Sequence, residues 1–383
     1  WEKTLCRRYI WVWRNSGNCK IMIVTKIELS NFRNYDSLSL ELDDKTNILY
    51  GKNAQGKTNV LEAIYLCSTT KSHRSSKDAE LIKFENNEGH IKLFINKKGR
   101  EYRIDIHLRK NKSKGIAING IPIKKASELF GIFNVIFFSP EDLDIIKNGP
   151  AERRRFVDME LCQLDKIYVY NLINYNKVLG QRNQLLKDIY MKPELEDTLD
   201  VWDMQLAEYG SKVIKRREQF IKDINKIIKP IHRKLTENSE EIEVVYKKSC
   251  NEDELYNKII ENRKKDIKLK STSAGPHRDD ILFFNKDINI RTYGSQGQKR
   301  TVALSLKLAE IELVKSLIND TPVLLLDDVL SELDSDRQNH LLKSLDEIQT
   351  VITCTGLDEF IENRFSINKV FQVTKGKIEE RTV

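Results

Sequence analysis

The 383-residue chain contains no long apolar run that would predict a membrane-spanning helix. Its six cysteines form no Cys-x-x-Cys pair, which argues against a zinc site or a disulfide framework and favours buried thiols in a reducing cytoplasm. No internal repeat or low-complexity tract is visible. The charge balance is mildly basic, with 65 Lys and Arg against 57 Asp and Glu, so a polyanionic partner is permitted but not demanded.

The first 21 residues lack the features of a targeting signal. They contain a short aromatic patch and three arginines, but no long apolar stretch and no small-residue cleavage site. The first methionine is Met22, directly before a strand pattern. We therefore expect residues 1–21 to be an upstream extension without a role.

A phosphate-binding loop is the clearest motif. The string GKNAQGKT at 51–58 follows the short apolar run TNILY. It fits a pattern in which backbone N–H groups cradle phosphates, Lys57 reaches the β and γ oxygens, and the Thr58 hydroxyl ligates Mg²⁺. Apolar residues at helical spacing follow, so both side chains lie at a helix amino end, which favours phosphate. The predicted nucleotide-binding residues of this loop are Gly51, Lys52, Asn53, Ala54, Gln55, Gly56, Lys57 and Thr58.

A second part of the site is predicted at 323–328. The string VLLLDD is an apolar strand pattern that ends in two carboxylates. Such an arrangement can hold Mg²⁺ through Asp327 and polarise an attacking water through Asp328. Alone this pattern is not specific, but its pairing with the phosphate loop predicts a nucleotide site. We predict Lys57 and Asp328 as catalytic residues, and Thr58 and Asp327 as Mg²⁺ ligands.

The pattern of secondary structure changes twice along the chain. Residues 22–150 carry strand patterns, including two hairpins, whereas 151–270 are charged and helical. Strand and site patterns resume over 271–383. We predict an α/β fold in which 22–150 and 271–383 together form one ATPase lobe, with 151–270 as a mostly helical inserted domain.

The loop YGSQGQKRT at 293–301 leads into a long helical pattern. In isolation it is a helix start capped by Ser295. Its place before VLLLDD, with SELD following at 331–334, resembles the signature, Walker B and D-loop order of ABC-type ATPases. In that family the signature helix contacts the γ-phosphate bound by the partner subunit. The resemblance therefore implies a head-to-tail homodimer joined by two ATP molecules. The residues that it assigns to the partner's nucleotide are Ser295, Gln296, Gly297 and Gln298.

The length of the insertion and several short sequence motifs indicate which branch of the ABC-type ATPases the chain resembles. An insertion of 151–270 is too short for the long coiled-coil arms of the condensin-like and Rad50-like branch. The whole of 22–383 instead resembles the RecF family of bacterial recombination-repair ATPases. The strings that carry this resemblance are NFRNY at 31–35, KSHRSSKDAELI at 71–82, FFSPEDL at 137–143, GPAERRRFVD at 149–158, AGPHRDD at 274–280, GSQGQKRT at 294–301 and LLLDDVLSELD at 324–334.

The family resemblance implies a function as well as a fold. It implies a protein that binds ATP, recognises single-stranded, gapped or junction DNA, and helps RecO and RecR load RecA during repair, replication restart and the SOS response. It also implies that Arg33 reaches the nucleotide, although a surface ion pair is the alternative. Asp328 stands where these ATPases usually have glutamate, which predicts slow hydrolysis and a switch rather than a motor. VITCTGLDEF at 351–360 has no switch histidine, and FFSPEDL has no Q-loop glutamine.

Several basic residues are candidates for DNA contacts. The segment 212–234 has nine Lys and Arg against Glu218 and Asp223, and its basic face predicts salt-sensitive binding to phosphates. A solvated helix face is the alternative. Further candidates are Lys71, Arg74, Lys77, Arg153, Arg154 and Arg155. We expect His277 to be a structural histidine rather than a site residue. Two other classes of function stay open, namely an ABC transporter's nucleotide-binding subunit and a condensin-like DNA tether.

Overall fold

The structure is a computed structural model that describes residues 22–75, 77–334, 337–338, 341, 348–357 and 367–381. The predicted extension at 1–21 lies outside these residues. The strands are β1 (Ile23–Phe32), β2 (Tyr35–Glu41), β3 (Thr46–Tyr50), β4 (Glu88–Lys97), β5 (Arg100–Arg109), β6 (Gly115–Ile118), β7 (Ile121–Pro122), β8 (Val135–Phe138), β9 (Glu243–Lys247), β10 (Asp280–Asn285), β11 (Ile288–Asn289), β12 (Val323–Asp327), β13 (Thr350–Cys354), β14 (Lys369–Thr374) and β15 (Lys377–Arg381). The α-helices are α1 (Lys57–Thr69), α2 (Leu143–Lys147), α3 (Pro150–Leu164), α4 (Lys166–Met191), α5 (Leu199–Leu235), α6 (Leu255–Glu261), α7 (Arg263–Leu269), α8 (Ile290–Tyr293) and α9 (Gln296–Ile318).

A six-stranded sheet in the order β15-β14-β3-β13-β12-β8 carries the candidate site. The pairs from β14 to β8 are parallel, and only β15 is antiparallel to its neighbour. Leu49 of β3 pairs with Thr353 of β13, which also lies beside β12. Strands from the two halves of the chain therefore build one sheet. Their carboxyl ends meet at one edge, which is where ligands bind in open α/β sheets.

Each face of this sheet is covered by a different layer. On one face, α1 packs together with a six-stranded antiparallel sheet in the order β2-β1-β4-β5-β6-β7, and this core contains Val60, Leu61 and Ile64. On the other face, Leu304 and Leu308 of α9 pack against β12 and β13. The helix after the phosphate loop and the helix after the signature loop thus lie on opposite faces of the sheet.

The helical segment forms a short arm. Helix α4 has 26 residues and α5 has 37, and the two pack against each other. At a rise of 1.5 Å per residue, α5 is about 55 Å long, which rules out the long coiled coil of a condensin-like arm. Its apolar stripe faces inward, because Val213, Phe220 and Ile224 are buried.

One element of the arm region was not predicted from the sequence. Strand β9 lies in the segment expected to be helical, and Val244 pairs with Phe283 of β10 in a small antiparallel sheet. Its five residues, EVVYK, offer too short an alternation to stand out among charged neighbours. This sheet crosses the predicted boundary at 270/271. The boundaries at 150/151 and 270/271 stay predictions.

Two predictions from composition can be compared with the described residues. Within them, no helix combines the length and the apolar character needed to cross a membrane. The described cysteines Cys67, Cys162, Cys250 and Cys354 form no disulfide, and Cys250 is only half-buried. Cys6 and Cys19 lie outside the described residues.

Candidate nucleotide-binding site

The phosphate loop connects β3 to α1 and requires glycine at both ends. Gly51 and Gly56 have φ angles of 151° and 112°, which side chains rarely adopt. A Cβ atom on Gly51 would lie 2.4 Å from the carbonyl oxygen of Val373, and one on Gly56 would lie 2.5 Å from Nδ2 of Asn34. The loop therefore depends on both glycines for its path.

Lys57 begins α1 and folds back over the loop. Its Nζ donates to the carbonyl oxygens of Gly51, at 2.6 Å, and of Lys52, at 3.1 Å. Only 4% of the residue is exposed, whereas Lys52, Asn53 and Ala54 are exposed. The first N–H groups of a helix have no intrahelical acceptor. This end of α1 therefore combines a buried cation with free N–H donors, a combination suited to an anionic ligand.

The hydroxyl of Thr58 and the carboxylate of Asp327 lie together. Thr58 Oγ1 donates a 2.8 Å hydrogen bond to Oδ1 of Asp327, and Thr353 Oγ1 donates to the same atom at 2.7 Å. The structure thus brings the two predicted Mg²⁺ ligands into contact. Thr353 was not predicted from the sequence, and only its place at the end of a strand next to β12 could have indicated it.

Burial and neighbouring groups together shift the pKa of the Asp327 carboxyl. Burial raises the pKa of its carboxyl, the two threonine hydroxyls lower it, Asp328 raises it and Arg74 lowers it, with a net rise. Burial is also the largest cause of the raised pKa of Glu141, where Arg74 lowers the pKa and Asp327 raises it. Arg74 and Glu141 thus influence this carboxylate, although the sequence indicated Arg74 only as a candidate DNA contact and did not indicate Glu141.

Asp328 lies directly after β12 in an unusual backbone conformation. Its φ angle is 51°, in the left-handed region that aspartate tolerates better than most residues. The backbone N–H of Asp328 donates to Oγ1 of Thr353 at 3.0 Å and its carbonyl accepts from Ser331 Oγ at 2.8 Å. The backbone is therefore fixed on both sides of the predicted catalytic carboxylate.

The NFRNY segment supports the phosphate loop from behind. Asn34 Nδ2 donates to the Gln55 carbonyl at 2.9 Å, and Tyr35 Oη donates to the Gly56 carbonyl at 3.0 Å. Asn59 Nδ2 donates in turn to Oδ1 of Asn34 at 2.8 Å. These contacts fix the path of the loop. The string carried the family resemblance, but the sequence did not indicate that Asn34 and Tyr35 contact the loop.

Arg33 forms an ion pair in this structure. Its guanidinium donates through Nε and Nη2 to both carboxylate oxygens of Glu62, at 2.8 and 2.7 Å. It also donates to Ser75 Oγ at 2.6 Å and to the Glu80 carbonyl at 2.9 Å. Glu62 is fully buried, so the pair is more interior than the surface pair considered above. A role for Arg33 at the nucleotide stays a prediction.

The predicted signature loop lies at the amino end of α9. Ser295 Oγ accepts from the backbone N–H of Gln298 at 3.1 Å, and Gln298 Oε1 accepts from the Ser295 N–H at 2.8 Å. This reciprocal cap leaves Ser295, Gln296 and Gly297 exposed. Gln298 Nε2 donates to Oε1 of Glu240 at 3.0 Å. The hydrogen bonds of the Ser295 and Gln298 side chains thus lie within the cap and to Glu240, rather than to the phosphate loop.

The basic face of α5 is largely paired with carboxylates. Seven of the nine Lys and Arg in 212–234 form ion pairs, several with residues far away in sequence. These pairs are Lys212 with Glu208, Arg216 with Asp165, Arg217 with Asp158, Lys222 with Glu218, Lys226 with Asp223, Lys229 with Glu243 and Arg233 with Glu241. The local charge counted along the sequence therefore overstates the positive potential of this face.

Three other residues considered from the sequence make contacts within the fold. Arg153 is buried and pairs with Asp280 at 2.7 Å, so its prediction as a DNA contact was wrong. Arg154 donates to the Asp279 carbonyl at 2.7 Å. His277 Nε2 lies 3.0 Å from the Thr272 carbonyl, and Nδ1 lies 2.5 Å from Tyr175 Oη. The structural interpretation of His277 is confirmed.

Taken together, the fold and the site define an ABC-type ATPase head. The family model described as RecF/RecN/SMC N terminal domain matches residues 23–379. The DNA replication and repair protein RecF of Lachnospira eligens is 62% identical over 359 residues, covering 93% of this chain and 99% of that protein. The protein of the same name from Clostridium perfringens is 46% identical over 363 residues, covering 94% and 100%.

Solved structures agree with these sequence matches. The structure described as the recombination mediator protein RecF-ATP in the RecFOR pathway has a TM-score of 0.91 at 35% identity and covers 96% of this chain and 100% of that chain. The Smc head domain of Pyrococcus furiosus, at 16% identity and a TM-score of 0.55, shares the fold alone. The chain belongs to the RecF family.

Proposed function

We propose that this chain is an ATP-dependent DNA-binding protein of recombinational repair. One observation carries the nucleotide part of the proposal, namely the contact of Thr58 with Asp327 beside the buried Lys57 ammonium. A relative at 35% identity is described as RecF-ATP in the RecFOR pathway. ATP is therefore the proposed ligand of Gly51–Thr58, with Lys57 reaching its β and γ oxygens.

Mg²⁺ is the proposed metal of this site. Thr58 and Asp327 offer a hydroxyl and a carboxylate oxygen 2.8 Å apart, and hard oxygen donors of this kind suit Mg²⁺. When bound, the ion would neutralise charge on the triphosphate. The protein's own part is to hold both oxygens in place, through α1 and through the hydrogen bond from Thr353 to Asp327.

Hydrolysis is proposed to be slow and to act as a switch. Asp328 would orient or deprotonate the attacking water, but its side chain is one methylene shorter than the usual glutamate. Its backbone is fixed by Thr353 and Ser331, so the shorter side chain is not offset by a freely moving backbone. ATP binding, rather than rapid turnover, would then control the assembly state.

The proposed assembly is a head-to-tail homodimer. The amino end of α9 presents Ser295, Gln296 and Gly297 to solvent, and the phosphate loop presents Lys52, Asn53 and Ala54. The two exposed elements precede helices on opposite faces of one sheet. A second copy could supply the signature loop to each nucleotide, and the first-turn N–H groups of α9 would then contact the γ-phosphate.

DNA and repair proteins are the proposed partners. The relatives are described as DNA replication and repair proteins and as a recombination mediator of the RecFOR pathway. A net charge of +8 is compatible with binding to nucleic acid. We infer gapped or junction DNA as the target, with RecO, RecR and RecA as partners in the cytoplasm. Lys71, Arg74 and Lys77 are exposed and stay candidates for phosphate contacts.

The test combines sedimentation with DNA binding, each with and without ATP and Mg²⁺. The expected result is a monomer without ATP, a dimer with ATP and tighter binding to gapped duplex DNA in the dimer. Lys57→Ala should lose both responses, and Lys45→Ala, outside the loop, is the control. Dimers that form without ATP, with unchanged DNA affinity, would overturn the proposal.

A further inference from the structure

The side chain of Gln298 is held at both ends of its amide. Oε1 accepts from the Ser295 N–H at 2.8 Å, and Nε2 donates to Oε1 of Glu240 at 3.0 Å. Glu240 lies in the turn between α5 and β9, so the contact joins the arm to the signature loop. A carboxylate accepts but cannot donate, so it also fixes which end of the amide faces the Ser295 N–H.

A buried histidine lies next to the carboxylate of Glu240. His232, in the last turn of α5, is 1% exposed, and its Nε2 lies 3.5 Å from Oε2 of Glu240. His232 Nδ1 lies 2.9 Å from Ser305 Oγ in α9, and Ser305 Oγ donates to the Thr301 carbonyl at 2.8 Å. The Ser305 hydroxyl can therefore accept from Nδ1–H, whereas Nε2 makes no hydrogen bond to the carboxylate, and this 3.5 Å contact is an ion pair only when the imidazole is protonated.

Two separate polar contacts join the arm to α9. His232 is attached to the interior of α9 through Ser305, and Glu240 contacts the first turn of the same helix through Gln298. Only 20% of the Glu240 side chain is exposed. Its carboxylate therefore has a defined position, unlike that of the neighbouring Glu241, which forms an exposed pair with Arg233.

We propose that Glu240 is a positioning residue that holds Gln298, and with it the cap of the signature loop, in the conformation that the partner's nucleotide requires. This inference rests on the proposed function. Removal of the carboxylate would free the Gln298 amide to turn and would leave the Ser295 N–H without its acceptor. The effect would be on the composite site in the dimer, and ATP would still bind to the phosphate loop of the altered chain.

The first test is hydrogen exchange without ATP. We expect Glu240→Ala to speed exchange of the Ser295 N–H about tenfold, because the hydrogen bond that protects it is lost. Glu240→Gln retains a carbonyl acceptor for Gln298 Nε2 and should exchange nearly as slowly as the native chain. Glu241→Ala is the matched control. If the Ser295 N–H exchanges at the native rate in Glu240→Ala, Glu240 has no positioning role. This conclusion would not depend on whether ATP drives dimerisation.

The second test is ATP-driven dimerisation, measured by sedimentation. Glu240→Ala should require about tenfold more protein to dimerise, while its monomer binds a fluorescent ATP analogue as the native chain does. Glu240→Gln should restore dimerisation, and a Gln variant as defective as Ala would overturn the inference. If the native chain fails to dimerise with ATP, the proposed function fails, and the exchange experiment still decides the role of Glu240.

A mixing experiment separates positioning from general damage. Lys57→Ala has a defective phosphate loop but an intact signature loop. Glu240→Ala has an intact phosphate loop but a defective signature loop. An equimolar mixture should form ATP-dependent dimers with one intact composite site, at a protein concentration where each variant alone stays monomeric. A mixture that remains monomeric at a concentration where the native chain dimerises would contradict a role across the dimer interface.

Discussion

Thr58 Oγ1 donates a 2.8 Å hydrogen bond to Oδ1 of Asp327, although 269 residues separate the two in sequence. The contact exists because β3 and β12 flank β13 in one parallel sheet, so the loop after β3 meets the end of β12. Oδ1 of Asp327 also accepts from Thr353 at 2.7 Å. The two predicted metal ligands are thus aligned by the sheet.

Asp327→Asn should weaken ATP binding mainly when Mg²⁺ is present. An amide offers the metal a neutral oxygen in place of a charged one, so we expect affinity for MgATP to fall about tenfold or more. Titration of a fluorescent ATP analogue, with Mg²⁺ and with EDTA, measures this. In EDTA the variant and the native chain should differ little. An equal loss in both conditions would show that Asp327 does not act through the metal.

Asp328→Asn should separate hydrolysis from assembly. Asparagine tolerates the left-handed φ of 51° at this position and keeps the side-chain volume, so only the carboxylate is lost. We expect phosphate release to slow about 100-fold or more, because a general base contributes on that order. ATP-driven dimers should persist and live longer. Unimpaired phosphate release would exclude Asp328 as the base.

Gly56→Ala should disable the phosphate loop. The new Cβ would lie 2.5 Å from Nδ2 of Asn34, and the φ of 112° is unfavourable for alanine. We expect ATP affinity to fall about tenfold and the free energy of unfolding to fall by about 1–2 kcal/mol. Gly149→Ala is the control, since a Cβ there meets no atom within 4 Å. Native ATP affinity in Gly56→Ala would show that the loop can bind phosphate along another path.

His277 should make the fold less stable in mild acid. Burial is the largest cause that lowers its pKa, to about 4, while the hydrogen bond to the Thr272 carbonyl acts in the opposite direction. Between its ordinary pKa of about 6.5 and pH 4, the unfolded chain binds a proton that the folded chain does not, so stability falls as pH falls.

The matched variant for this pH effect is His277→Gln, which keeps a donor for the Thr272 carbonyl but does not titrate. From pH 7 to pH 5, the free energy of unfolding of the native chain should fall by about 1–2 kcal/mol more than that of the variant. Urea denaturation at both pH values measures the difference. Parallel curves for the two proteins would indicate that folding does not shift the pKa of His277.

The sequence was sufficient for the parts of the site that depend on local motifs. The loop at 51–58, the aspartates after β12 and the cap at Ser295 each have a pattern within ten residues. Contacts between distant segments gave no such pattern, and so Thr353, Asn34 and Glu240 were missed. The ion pairs of α5 could not be predicted for the same reason, because carboxylates such as Asp165 and Glu243 reach it only through the fold.

The most direct test of the composite nucleotide site is sedimentation of two complementary variants. Lys57→Ala removes the ammonium group of the phosphate loop, and Ser295→Arg blocks the amino end of α9. With ATP and Mg²⁺, each variant alone should remain monomeric. Their equimolar mixture should form dimers that contain one competent site. If the mixture stays monomeric where the native chain dimerises, or if either variant dimerises alone, the nucleotide is not held jointly by two copies of the chain.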